Sequence, residues 1–105
     1  MQTIPEKTLK TLLLTAIPNG VQTLAVTTAT RLTIPSNTTY ALIDVEAATS
    51  SDYVRFWCDG TLPTATDGVK RGDGTAFDLL GPTAIAKFRV IGISSGATLQ
   101  IQYFK

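Results

Sequence analysis

The sequence predicts an all-β fold: an antiparallel two-sheet sandwich, jelly-roll-like, made of about eight short strands. Three observations carry that expectation. Threonine is over-used and, with Val, Ile, Tyr and Phe, supplies the β-branched and aromatic side chains that suit a pleated, half-buried surface. Apolar residues recur with period two in one segment after another, and no stretch of useful length repeats at the helical period. Clusters of Gly, Pro, Asn, Asp and Ser punctuate these segments throughout, as turns punctuate an all-β chain.

Residues 1–8, with Pro5 and mixed charge, have no period and read as an extended N-terminal arm; residues 9–105 read as one sandwich domain. Leu9 to Ile17 is a short apolar run closed by the turn residues Pro18-Asn19-Gly20. Val21 to Thr27 and Thr30 to Ile34 follow as strands with Thr-rich outer faces, the second stopped by Pro35-Ser36-Asn37. Tyr40 to Ala47 alternates cleanly, with Ala41, Ile43, Val45 and Ala47 on the expected core face and Tyr40, Leu42, Asp44 and Glu46 on the other. A polar turn, Ala48 to Asp52, leads to Tyr53–Cys58, where Val54, Phe56 and Cys58 oppose Tyr53, Arg55 and Trp57.

Asp59 to Gly74 is glycine-rich and reads as a long loop, with brief pairing allowed at Val69-Lys70. Ala76 to Leu80 is a short strand before Gly81-Pro82. Ile85 to Ser94 is expected to be the longest strand, with Ala86, Phe88 and Val90 inward, Lys87 and Arg89 outward, and a bulge at Gly92. Ser95-Gly96 is expected to turn a hairpin into Ala97–Phe104, where Ala97, Leu99, Ile101 and Tyr103 alternate with Thr98, Gln100 and Gln102.

Composition narrows the function classes. At 105 residues a single core is what the chain supports, and nine basic against eight acidic residues leave a net charge of +1. No basic cluster exceeds Lys70-Arg71, so nucleic acid is not an expected partner. No apolar run approaches the roughly 20 residues of a membrane helix, and the opening MQTIPEKTLK does not read as a signal peptide, so no membrane partner is expected and synthesis is expected in the cytoplasm. There is no histidine, and Cys58 is the one cysteine, which removes Ser-His and Cys-His nucleophile pairs, an intrachain disulfide and cysteine metal clusters. The reading is a non-enzymatic protein with no cofactor and no metal.

Four sets of residues bear on function. Asp44 and Glu46 project from one strand face, a geometry open to two-carboxylate hydrolysis, but solvated strand faces are built the same way and that reading is preferred. Asp59, Asp67, Asp73 and Asp78 crowd one region without the spacing of a calcium loop. Arg71-Gly72-Asp73 spells an adhesion tripeptide, for which chance in a turn is the better account. Tyr53, Arg55 and Trp57 point away from the expected core face and are of the types enriched at the centres of protein interfaces, whereas cover by a second sheet or the long loop would make Trp57 core. The partner-contact candidates are Tyr53, Arg55, Trp57, Lys70, Arg71 and Asp73, together with the arm from Met1 to Lys10.

The blocks Tyr53-Val54-Arg55-Phe56, Asp59-Gly60-Thr61-Leu62-Pro63-Thr64-Ala65, Gly68 and Gly72-Asp73 stand in an order that resembles small jelly-roll-like virion proteins of tailed bacteriophages. The closing strands, Ala84-Ile85-Ala86-Lys87-Phe88-Arg89-Val90-Ile91 and Ala97-Thr98-Leu99-Gln100-Ile101-Gln102-Tyr103-Phe104, belong to the same resemblance, which covers the chain from Tyr40 onward. Trp57-Cys58 departs from it, standing where charged residues are common. The resemblance implies a virion structural protein, a capsid cementing or decoration protein that stabilises the head shell. It also implies binding to the major capsid protein or another virion protein, and a homo-oligomer. The alternative is a tail-associated carbohydrate- or receptor-binding sandwich, with Tyr40, Tyr53 and Trp57 stacking on sugar.

Overall fold

The computed structural model describes residues 14–105, so the arm expected over residues 1–8 lies outside the described residues. Seven strands and a short helix follow in the order β1 (Ala16–Val26), β2 (Tyr40–Glu46), β3 (Tyr53–Trp57), β4 (Val69–Gly72), β5 (Ala76–Leu80), α1 (Pro82–Lys87), β6 (Arg89–Ile93) and β7 (Ala97–Phe104). They form a four-stranded sheet, β1-β7-β2-β5, and a three-stranded sheet, β4-β3-β6, with every pairing antiparallel. On the other side of β6, Thr30 and Val90 form an isolated bridge, exchanging backbone N–H···O bonds of 2.8 and 3.0 Å. With that bridge as a vestigial strand the second sheet runs Thr30-β6-β3-β4, and the winding is that of a jelly roll. The expected all-β sandwich is the observed fold.

The core lies between the sheets. Ala41, Ile43 and Val45 of β2, Leu99, Ile101 and Tyr103 of β7, Val54 and Phe56 of β3, and Val90 of β6 are buried against one another. Period-two alternation put each of them on the inner face, and burial of each large apolar side chain contributes about 1.5–3 kcal/mol. Phe56, Phe77 and Phe88 knit the layers together: Phe56 stacks on Phe77 with centroids 4.5 Å apart and meets Phe88 at 5.3 Å. Tyr103 buries its ring and donates its hydroxyl to Gln22 Oε1 at 2.7 Å, and burial pushes its phenol pKa up to about 12.

Several sequence expectations are corrected. Pro18-Asn19-Gly20 does not end a strand. The chain advances from Ala16 to Val21 on β1 while β7 advances only from Phe104 to Gln102, so the turn residues loop out as a bulge with Asn19 at φ 58°. The strand expected over Thr30–Ile34 is reduced to its first residue, although Leu32 is still buried in the core.

The strand expected over Ile85–Ser94 begins only at Arg89, because Pro82 opens one helical turn over Pro82–Lys87 that buries Ile85 and leaves Ala86 exposed. Proline at the first helical position and the alanines behind it suit that turn. Gly92 is no bulge; it pairs in register with Val54. A Cβ on Gly92 or Gly96 would run into the Val26 carbonyl oxygen, so close backbone approach is what demands glycine there. Ile93 to Gly96 is a turn closed by a Gly96 N–H···O Ile93 bond of 3.1 Å, but β6 and β7 lie in different sheets and form no hairpin.

Candidate protein-binding face

Register places the singled-out side chains. Tyr53 lies opposite Ile93, Arg55 opposite both Lys70 and Ile91, and Trp57 opposite Arg89. Val54, Phe56 and Val90 face the core, so Tyr53, Arg55, Trp57, Lys70, Arg89, Ile91 and Ile93 share the outer face of the three-stranded sheet. Two cations flank Tyr53: Lys70 Nζ stands 4.2 Å and Arg55 Cζ 5.6 Å from its ring centroid.

Arg55 has a second task. Its Nε donates to the Ala65 carbonyl at 3.2 Å and its Nη1 to the Gly68 carbonyl at 2.8 Å. The segment between Asp59 and Gly68 is thereby folded back onto its own sheet, with Pro63 buried, instead of extending outward as a free arm. Local turns stiffen it further. Asp59 Oδ1 accepts from Thr61 N–H at 2.9 Å, and Thr64 Oγ1 accepts from Asp67 N–H at 3.0 Å. The end of the expected Asp59–Gly74 loop is strand β4, the edge of the sheet. Trp57 is half-buried on the outer face, neither inter-sheet core nor fully open.

The other candidates are not brought to this face. Arg71 lies opposite Val54, on the inner side of the edge strand, and its Nη1 donates to the Lys70 carbonyl at 2.8 Å. Asp73 sits in the turn after β4, where its Oδ1 accepts from Ala47 N–H at 2.9 Å. The Arg71-Gly72-Asp73 tripeptide is therefore a strand end plus a carboxylate that pins the turn to β2. Tyr40 is on the other sheet: its hydroxyl donates to Asp78 Oδ2 at 2.8 Å and its ring meets Phe104 at 5.4 Å. Tyr40 thus cannot join Tyr53 and Trp57 in one sugar-stacking platform.

Asp44 and Glu46 point outward from β2, opposite Gln100 and Thr98. Asp44 borders a shallow depression with Val21, Leu42 and Gln102, and Glu46 lies outside its lining. Among the described residues no three Cys, Asp or Glu side chains gather to hold a metal ion. Cys58 is half-buried against the core, and burial, then the Asp59 charge, push its thiol pKa up, away from thiolate reactivity.

Sequence reasoning missed Arg89, Ile91 and Ile93 as members of the face. Alternation marks Arg89 as outward, but the pairing of β6 with β3 across more than thirty intervening residues has no local signal. Comparison with protein-family profiles, with curated proteins and with solved structures finds no match.

Proposed function

We propose that this protein is a structural component of a bacteriophage particle, a cementing or decoration protein of the head shell, that docks through the outer face of its three-stranded sheet. The observation that carries this reading is the composition of that face: half-buried Tyr53, Trp57, Arg55 and Arg89 beside an exposed Lys70, held in register by β-pairing. Aromatic rings and guanidinium groups on a rigid sheet give large contact area with little side-chain entropy to lose. The block order from Tyr53 to Phe104 adds the resemblance to small virion proteins, and the jelly-roll sandwich is compatible with it. Such a protein works without a reaction. A small contact repeated over a lattice sums to a strong one, which is how a modest face resists internal pressure.

The test is quantitative mass spectrometry of purified particles. The expected result is this chain in fixed stoichiometry with the major shell protein. Trp57→Ala is expected to lower occupancy at least tenfold at limiting protein, since a central aromatic anchor is worth about 2 kcal/mol or more. Particles that lack the chain would end this reading.

A further inference from the structure

The two outer faces of the sandwich carry opposite charge. On the four-stranded sheet, Asp44, Glu46 and Asp78 all point outward, among exposed apolar side chains of Val21 (69%), Leu42 (42%) and Leu80 (61%). That face carries no Lys or Arg among the described residues of its strands. On the three-stranded sheet the outward charged residues are Arg55, Lys70 and Arg89, set among Tyr53, Ile91 and Ile93, with Asp59 and Asp67 on the bordering loop. Among the described residues, the outward charges of the two sheets' strands thus lie on opposite sides of one slab.

We propose that a second copy of this chain is the partner these faces fit, the acidic face of one copy lying on the basic face of the next. The inference rests on the reading of the three-stranded sheet's outer face as a docking surface: in a front-to-back stack each copy but the last has that face covered by its neighbour, and the last keeps it for the shell. Charge decides the geometry. Pairing like faces about a two-fold axis would set Asp44 and Glu46 against their own copies, or Arg55, Lys70 and Arg89 against theirs, at short range in partly desolvated surroundings. Front-to-back pairing sets them in opposition and brings Val21, Leu42 and Leu80 against Tyr53, Ile91 and Ile93. Such a contact is heterologous, so it repeats as a ring or a stack instead of stopping at a dimer. Its electrostatic part is screened by salt, since the Debye length falls from about 10 Å at 0.1 M to about 3 Å at 1 M.

Sedimentation velocity on the full chain tests this. At low ionic strength the wild type is expected to grow beyond monomer as concentration rises, and to return to monomer in about 1 M salt. Lys70→Glu/Arg89→Glu and Asp44→Lys/Glu46→Lys are each expected to be monomeric alone, because each presents like-charged faces to its own copies. Mixed in equal amounts they are expected to associate, since the unaltered acidic face of the first meets the unaltered basic face of the second. Arg89 Nη1 also donates to the Ala86 and Phe88 carbonyls, so if the double variant melts early, Lys70→Glu alone carries the test and must weaken association. A wild type that stays monomeric at low salt, association indifferent to salt, or variants that assemble like the wild type would each overturn the proposal. A monomeric chain that still saturates particles would leave the docking reading standing, and a self-associating chain absent from particles would do the reverse.

Discussion

Single side chains in this protein hold loops to strands more than they perform chemistry. Asp52 is the sharpest case: buried, it accepts from the Ser95 backbone N–H through Oδ1 and from the Thr49 hydroxyl through Oδ2, both at 2.9 Å. The Ser95 N–H first, then the Thr49 hydroxyl, hold its pKa below the usual carboxylate value. A depressed native-state pKa contributes stability that is fully present above the unfolded value of about 4 and is lost as pH falls through the native value. Asp52→Asn is therefore expected to melt below the wild type at neutral pH, with the gap closing as pH drops below about 4. A gap in melting temperature that stays constant with pH would assign the effect to shape and not to charge. Arg55 joins the sheet to the loop in the same manner, and Arg55→Met, which keeps the apolar stem, is expected to cost about 1 kcal/mol. Amide exchange in residues 63–68 is expected to quicken by more than exchange in β3, and uniform quickening would mean that Arg55 does not anchor the loop. Sequence alternation placed Arg55 on the outer face, but its acceptors Ala65 and Gly68 are backbone carbonyls, which any residue at those positions would supply.

The informative elements are those in which a local signal was right about conformation and silent about its use. Pro18-Asn19-Gly20 does adopt turn geometry, yet β1 continues beyond it, because Thr15 and Lys105 exchange backbone bonds of 2.9 Å and restore the ladder on the far side. Gly81-Pro82 reads as a break before a strand and proves to be the start of α1: Ile85 and Phe88, three apart, are both buried, a spacing that suits a helical turn and would put them on opposite faces of a strand. Glycines separate into two kinds at the level of elements. Gly92 of β6 lies against the end of β1, where a Cβ would strike the Val26 carbonyl, whereas Gly72 at the end of β4 has open space around its Cα. Gly92→Ala is expected to cost about 1–3 kcal/mol or more through overpacking. Gly72→Ala is expected to be neutral or to stabilise by up to about 1 kcal/mol, because it removes freedom from the unfolded chain. Chemical denaturation of the two variants decides it, and equal effects would refute the close-approach account of Gly92.

At the scale of the whole molecule, the jelly roll joins distant segments at nearly every step. β1 pairs with β7, so this ladder forms only when both ends of the described chain are in place. Folding is accordingly expected on the millisecond-to-second scale, slow for the size, because loop closure precedes the reward of non-local contacts. Stopped-flow refolding in microseconds would contradict that topology. Charge segregation also belongs to this scale, as no single element carries it: Asp44, Glu46 and Asp78 come from β2 and β5, while Arg55, Lys70 and Arg89 come from β3, β4 and β6. What the sequence by itself determined is the β class, the inward set Ala41, Ile43, Val45, Val54, Phe56, Phe88, Val90, Leu99, Ile101 and Tyr103, and the outward aim of Tyr53, Arg55 and Trp57. Period two is a property of neighbouring residues and can be read along the chain. Which strands pair, that Tyr40 lies on the opposite side from Trp57, that Arg71 and Asp73 leave the face and Arg89 joins it, and that the two faces differ in charge were decided only by tertiary structure. Register between remote strands is set by the closure of a shared core and leaves no local trace.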